Sequence, residues 1–230
     1  MYYLQDVQAP ISAIELYNDL CRRIISTELV PGAKISENAI SAEYGISRSV
    51  LRTAIARLQQ INLVVVYPQR GTFVKQLDIE HITNAAMIRS VLEQNAVFDI
   101  LSVEVVSPQL LKDLDEMLTQ MEKAYESQTI KNMDIIRDLN PKYHLRIIEE
   151  VFPQSALNML YEIRVHITRW TNIDEAIIGI EQRVIRQNRE LYEALRDHKL
   201  RKALACIREH FETLVSTVDN VKKIHPNYFQ

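Results

Sequence analysis

The segment Ala33-Lys-Ile-Ser36-Glu-Asn38-Ala-Ile-Ser-Ala-Glu-Tyr44-Gly45-Ile-Ser47-Arg48-Ser49-Val-Leu51-Arg52 decides the reading of this chain. A short amphipathic stretch ends at Tyr44-Gly45, where glycine suits the left-handed backbone position that closes a helix. Ser47 is a strong N-cap for a second helix. Leu51, Ile55 and Leu58, spaced four and three apart, give that helix one apolar face. Arg48 and Arg52 lie one turn apart on another face, beside Ser47 and Ser49. Helix, tight turn and helix in this order form a unit whose second helix can enter a DNA groove, with Arg and Ser at its N-terminus facing base edges and phosphates.

The residues that follow extend the same reading. Leu63-Val-Val-Val-Tyr67 is a β-branched run, Pro68-Gln-Arg70-Gly71 a turn, and Thr72-Phe-Val-Lys75 a second strand. This predicts a small hairpin, a wing, with Arg70 and Gly71 at its tip. From Ser47 to Leu77 there are five basic residues and no acidic ones. Solvated arginines on a merely structural helix pair would not require turn, helix face, wing and charge to agree. The expected DNA contacts are Asn38, Ser47, Arg48, Ser49, Arg52, Arg70 and Gly71.

Tyr17 to Val74 resembles the DNA-binding domain of the GntR family of bacterial transcription regulators. The resemblance is carried by Pro31-Gly32, Ser36-Glu37, Tyr44-Gly45-Ile46-Ser47-Arg48, Leu51-Arg52, Leu58, Leu63-Val64 and Pro68-x-Arg70-Gly71-x-Phe73-Val74. Three positions depart from the pattern: Val50 where proline is common, Thr53 where glutamate is usual, and Asn62 where glycine is usual.

Length and composition fit a two-domain chain of 230 residues, with residues 1–77 as the winged helix-turn-helix and 78–230 as a second domain. Four glycines and 47% hydrophobic content point to a mainly α fold with few loops. No apolar run has the length of a membrane span, and the N-terminus lacks a signal-peptide pattern, so a cytoplasmic protein with no membrane partner is expected. Cys21 and Cys206 fall inside helical patterns and read as buried thiols rather than a redox pair. The net charge of −3 is uneven: residues 1–78 hold eight Lys/Arg and seven Asp/Glu, leaving 19 of the 27 basic and 23 of the 30 acidic residues for the rest. The acidic half should therefore face away from phosphates.

A first helix is predicted over 12–28, ended by Leu29-Val-Pro31-Gly32. Leu77-Asp78 is a short junction without a Gly/Ser linker, which predicts coupled domains. Beyond it, helices are predicted at about 79–102, 108–128, 131–150, 155–171, 174–197 and 199–223. Ser107-Pro108 is a helix start. Pro141 predicts a kink or a fresh start, and Trp170 and Asp197-His198-Lys199 mark helix ends.

Residues 80–217 resemble the all-helical FCD domain of the FadR branch of the same family, on Arg89-x-x-x-Glu93, Tyr143-His144 and the final helices with His210. The resemblance implies an antiparallel helical bundle around a cavity, a homodimer, and an effector that is a small carboxylate or fatty-acyl derivative. It also implies a divalent-metal site in many members, from an Asp and a His four apart plus two further His twenty-two apart. On this chain those positions carry Asn140, His144, Asn188 and His210. Two neutral amides replace strong ligands, which weighs against a tight metal and leaves a weakly held divalent ion at His144 and His210 as the alternative. The expected effector site is Asn140, His144, Asn188 and His210, with Arg89, Arg169 and His166 as candidate partners of a ligand carboxylate. Arg89 with Glu93 also reads as an ordinary i,i+4 pair, and His81, His198 and His225 as surface or helix-end residues.

The chain thus reads as a ligand-responsive regulator, a repressor, binding double-stranded DNA as a dimer on an inverted repeat. Ile79, Ile82 and Met87, or Leu110 and Leu114, are the candidate dimer contacts. A metal-responsive regulator is the alternative. A metal-dependent enzyme at His144 and His210 is disfavoured by the lack of a nucleophile–base pairing or a spaced acid/base carboxylate, so no enzymatic activity is expected.

Overall fold

A computed structural model describes residues 11–127, 130–178 and 181–230. The chain divides into two compact units, one of residues 1–77 with 227–230 and one of residues 78–226.

In the first unit, α1 (Ala13–Ile25) opens with a capping box in which Ser12 and Glu15 satisfy each other's backbone N–H groups. Its stripe of Leu16, Leu20 and Ile24 is fully buried. β1 (Lys34–Ile35) leads into α2 (Glu37–Tyr44), capped by Ser36, whose hydroxyl accepts from the Ala39 N–H. Gly45 closes α2 at φ 63°, ψ 32°, the left-handed geometry in which a side chain is costly. α3 (Arg48–Gln60) then buries Leu51, Ala54, Ile55 and Leu58 against α1. Beyond α3, Asn62 stands at φ 58°. Glycine is usual there in the family pattern, and asparagine is among the few side chains that tolerate the conformation. β2 (Val64–Tyr67) and β3 (Gly71–Val74) form the wing, and β1 pairs with β3 on its other side, in the order β1-β3-β2, all antiparallel. Thr72 on β3 donates to the Glu37 carboxylate at 2.9 Å, tying the wing to α2.

The second predicted domain extends to residue 230, but its last four residues belong to the first unit. The Leu77 N–H donates to the Tyr228 carbonyl at 2.7 Å, and the Gln230 N–H to the Leu77 carbonyl at 3.2 Å. Buried Phe229 adds the apolar contribution. No local signal in Pro226-Asn-Tyr-Phe-Gln announces this return, which depends on partner backbone at Leu77, 151 residues before Tyr228.

The second unit consists of α4 (Ile79–Ile100), α5 (Pro108–Glu126), α6 (Ile130–Glu149), α7 (Gln154–Met159), α8 (Tyr161–Ile178), α9 (Glu181–Arg196), α10 (Leu200–Ser216) and α11 (Val218–Ile224). α5 starts as its sequence predicts, with Pro108 in the first turn and Ser107 capping the Leu110 N–H. α6 runs through Pro141 without a new start. Ile136, Tyr143 and Ile147 on both sides of the proline are fully buried, and that burial offsets the roughly 3 kcal/mol a helix-interior proline costs. Trp170 is likewise no helix end. Its indole is buried, its N–H donates to the Leu214 carbonyl at 2.7 Å, and α8 continues to Ile178.

The predicted dimer contacts divide. Leu110, Leu114 and Ile82 are core residues of a single chain, because α5 and α4 turn those faces inward. Met87 is exposed, in a row with Ile88, Val91 and Phe98 on the outside of α4. Among the described residues no helix is long and apolar enough to cross a membrane.

Candidate nucleic-acid interface and buried polar site

The first unit presents a surface built by α3. Asn38, Ser47, Arg48, Ser49, Arg52 and Arg70 are all exposed. Ser47 accepts from the Val50 N–H at 3.4 Å, and its hydroxyl meets that of Ser49 at 2.8 Å. Leu51 and Ile55 anchor the opposite face, so Arg48 and Arg52 point away from the core. Thr53 spends its hydroxyl on the Ser49 carbonyl at 3.0 Å. In the wing, the Arg70 N–H closes a turn on the Tyr67 carbonyl at 3.1 Å. The Arg70 guanidinium lies 5.5 Å from the centre of the Tyr67 ring. Gly71 has φ 103°, and an added Cβ there would stand 3.3 Å from the Lys34 side chain, so both backbone and space call for glycine.

The second unit holds a different kind of site. Along α4 the buried positions are Ile82, Ala85, Ala86, Arg89, Ser90, Glu93, Ala96, Val97 and Ile100. Arg89 and Glu93 therefore project from an otherwise apolar face into the interior. Glu93 is fully buried and sits 2.6 Å from Nδ1 of buried His144 on α6. The Arg89 guanidinium lies 5.4 Å from the Phe211 ring centre. His144 and His210 face one another with ring centres 4.2 Å apart. His210 Nδ1 is 3.3 Å from Gln187 Oε1. Asn188 donates its amide N–H to Asn140 Oδ1 at 2.9 Å, and Tyr143 donates its hydroxyl to the Asn188 carbonyl, also at 2.9 Å.

Arg89, Asn140, His144, Asn188 and His210 thus meet in one cluster, joined by Glu93, which the sequence analysis did not count among the site residues. The period of α4 was the available signal, since it puts residue 93 on the same buried stripe as Ala86 and Ala96. His166 goes elsewhere: its ring packs on His81, with centres 4.4 Å apart. Arg169 is buried on α8, and burial holds its guanidinium down at about 10.

Burial dominates the electrostatics of the cluster. It pushes the Glu93 carboxyl up to about 7 against the opposing pull of Arg89. Burial, reinforced by Arg89, pushes His144 well below its usual range. His210 is driven down by burial and then by His144. With Glu93 ionised, the proton of the 2.6 Å contact resides on His144 Nδ1, which leaves Nε2 as a lone pair. Glu93 Oε2 is then a buried acceptor with no hydrogen-bond partner, while His144 Nε2 and Asn188 Oδ1 belong to side chains within reach of one another, so that with Glu93 protonated instead the Nε2–H of neutral His144 can donate to Asn188 Oδ1. The four-ligand metal set that the family resemblance implies does not fit these residues. Asn140 and Asn188 bond to each other, and Glu93, His144 and His210 do not bring one ligand atom each within 4.8 Å of one another.

Residues 13–74 match the family described as bacterial regulatory proteins, gntR family, and residues 84–213, more than half of the chain, match the FCD domain. The chain belongs to the GntR family of bacterial regulators, in its FCD-domain branch. It is a DNA-binding transcription regulator with a winged-helix unit and an all-helical unit. An uncharacterized HTH-type transcriptional regulator in an unstable DNA locus of Streptomyces ambofaciens is 25% identical over 94% of this chain and 88% of its own length. The HTH-type transcriptional repressor RspR of Escherichia coli K12 is 20% identical over 94% of this chain and 92% of its own. Among solved structures, a putative GntR regulator from Rhodococcus sp. RHA1 superposes with a TM-score of 0.76 at 19% identity, covering 90% of this chain and 97% of that one.

Proposed function

We propose that this regulator is a repressor that binds an inverted repeat as a homodimer and responds to a small organic acid held by the buried cluster. The observation that carries the DNA half is the α3 surface: Arg48 and Arg52 exposed one turn apart, on a segment with no acid from Ser47 to Leu77. Asn38, Ser47 and Ser49 flank them as hydrogen-bonding groups, and Arg70 with Gly71 brings the wing to the backbone. RspR, a relative of full-length similarity, is named a repressor. One winged helix spans few base pairs, so a second copy is needed for high affinity. The apolar row Met87, Ile88, Val91 and Phe98 supports its docking on α4.

The effector class follows from the unpaired Glu93 oxygen and the neighbouring Arg89. Glu93 Oε2 lacks a donor whichever nitrogen of His144 carries the proton, and an unmatched buried polar atom costs about 1–3 kcal/mol. A ligand bearing a hydroxyl or ammonium donor satisfies that oxygen, while its carboxylate pairs with Arg89. A hydroxy acid or amino acid has both features. Its binding changes operator affinity if it prefers one of two states of the protein.

The test is fluorescence anisotropy on a labelled promoter fragment, with and without a panel of hydroxy and amino acids. At least one member should shift the binding midpoint, and His144→Ala should abolish that shift while leaving ligand-free DNA binding in place. A response identical in parent and His144→Ala would overturn the effector site. Val91→Glu should yield a monomer by sedimentation, and a persistent dimer would remove α4 as the interface.

A further inference from the structure

The start of α4 and the first turns of α8 enclose a second group of metal-type ligands, separate from the cluster around His144. His81 lies in the first turn of α4, its backbone N–H capped by the Asp78 carboxylate at 3.2 Å. Glu162 and His166 lie one turn apart on α8, which packs against α4. One ligand atom from each of the three falls within 4.8 Å of the others. Among the described residues this is the only His, Cys, Asp or Glu group with that property.

An i,i+4 pair between Glu162 and His166, 4.0 Å apart, would account for those two residues as ordinary helix neighbours. It gives no account of His81. The His81 ring packs edge-on against the His166 ring at 4.4 Å, and its Nε2 is buried with no hydrogen-bond partner. An imidazole with an unpartnered buried nitrogen and a ligand atom within 4.8 Å of a second histidine and a carboxylate is placed as a ligand would be.

We propose that His81, Glu162 and His166 bind a first-row divalent cation, zinc foremost, at a position the family's ligand pattern does not include. Two imidazoles and one carboxylate form a three-ligand set with positions left for water, suited to zinc or iron(II). Coordination at about 2.0–2.2 Å sets neighbouring donors roughly 3.3–3.6 Å apart, reached from the present spacing by side-chain rotation. The Glu162 side chain is 39% exposed, which gives the ion a route in. Once bound, the ion ties the first turn of α4 to α8. The proposal stands apart from the effector reading, since it shares no residue with the Glu93 cluster.

The full-length protein, stripped with a chelator, is titrated with Zn²⁺ against a chromophoric competitor and separately with Co²⁺. One equivalent per chain is expected, with a rise in melting temperature and cobalt bands of a four- or five-coordinate nitrogen–oxygen site. His81→Gln, Glu162→Gln and His166→Gln should each weaken binding by about tenfold or more, and His198→Gln should leave it unchanged. Glu162→Gln is isosteric and partly exposed, so it decides the matter even if a histidine variant fails to fold. Absence of stoichiometric binding, or binding indifferent to Glu162→Gln, would overturn the site. Binding lost in His144→Gln but kept in His81→Gln would place the ion at the family position and overturn it equally.

Discussion

The two candidate functional regions of this regulator are built on opposite principles. The α3 surface is assembled from one short segment, its polar groups are exposed, and the apolar side of the same helix holds it in place. The Glu93 cluster draws side chains from α4, α6, α9 and α10, all removed from water. At the first, the polar groups are open to solvent, so a ligand must win through charge and shape. At the second, burial makes every unmatched polar atom costly, so side-chain pairing governs the arrangement. The exposed surface can thus be altered without harming the fold, whereas a change in the buried cluster acts on stability first.

The largest expected effect tests the surface half of that contrast. Arg48→Ala and Arg52→Ala should each cost about 1–3 kcal/mol of operator binding, with the double variant losing most specific affinity. Its thermal melting curve should match the parent, because neither guanidinium contributes to the core. An unchanged operator Kd in the folded double variant would break the assignment.

The next effect should appear in stability rather than DNA binding. Glu93 has a folded value of about 7 against an ordinary 4.5, so the folded state binds the extra proton between those limits. Its contribution is fully present below pH 4.5 and is lost as pH rises through 7. His144 and His210 act in the reverse sense: their depressed values make the protein lose stability as pH falls below 6.5. Glu93→Gln keeps an oxygen for His144 and removes the buried charge. It should stabilise the ligand-free protein at pH 8 by about 3 kcal/mol, a gain that disappears near pH 4.5. Urea unfolding across that range measures it, and a destabilised variant at pH 8 would mean that the ionised carboxylate is fully compensated.

Smaller effects sharpen the contrast. Ser47→Ala removes the α3 cap and should cost about 1 kcal/mol of first-unit stability with a parallel loss of DNA affinity. Arg70→Ala should weaken all sequences alike and lower the salt slope by about one. If Arg70→Ala changed the preferred operator instead, the wing would be reading bases.

Local chemistry explains why the first unit could be read so far from its sequence. Ser12, Ser36, Ser47 and Gly45 act on backbone groups within a few residues, and the Leu51–Ile55–Leu58 stripe repeats at the helical period. Those same rules fix α4 and the Ser107-Pro108 start of α5. They fail at Pro141 and Trp170, where a local breaker and a bulky ring are overruled by burial against other helices. They also fail at the C-terminus, where Tyr228 and Gln230 bond to the Leu77 backbone.

The sequence by itself determined the winged helix, its exposed arginines, the helical second unit and the polar character of positions 140, 144, 188 and 210, because each depends on capping, periodicity or a motif carried on contiguous residues. Only the tertiary structure decided that Glu93 joins His144, that Asn140 and Asn188 satisfy one another, and that His166 leaves the effector cluster to meet His81 and Glu162. Those outcomes depend on which helix faces meet across long separations in the chain, where desolvation and side-chain direction, rather than neighbouring residues, select the partner.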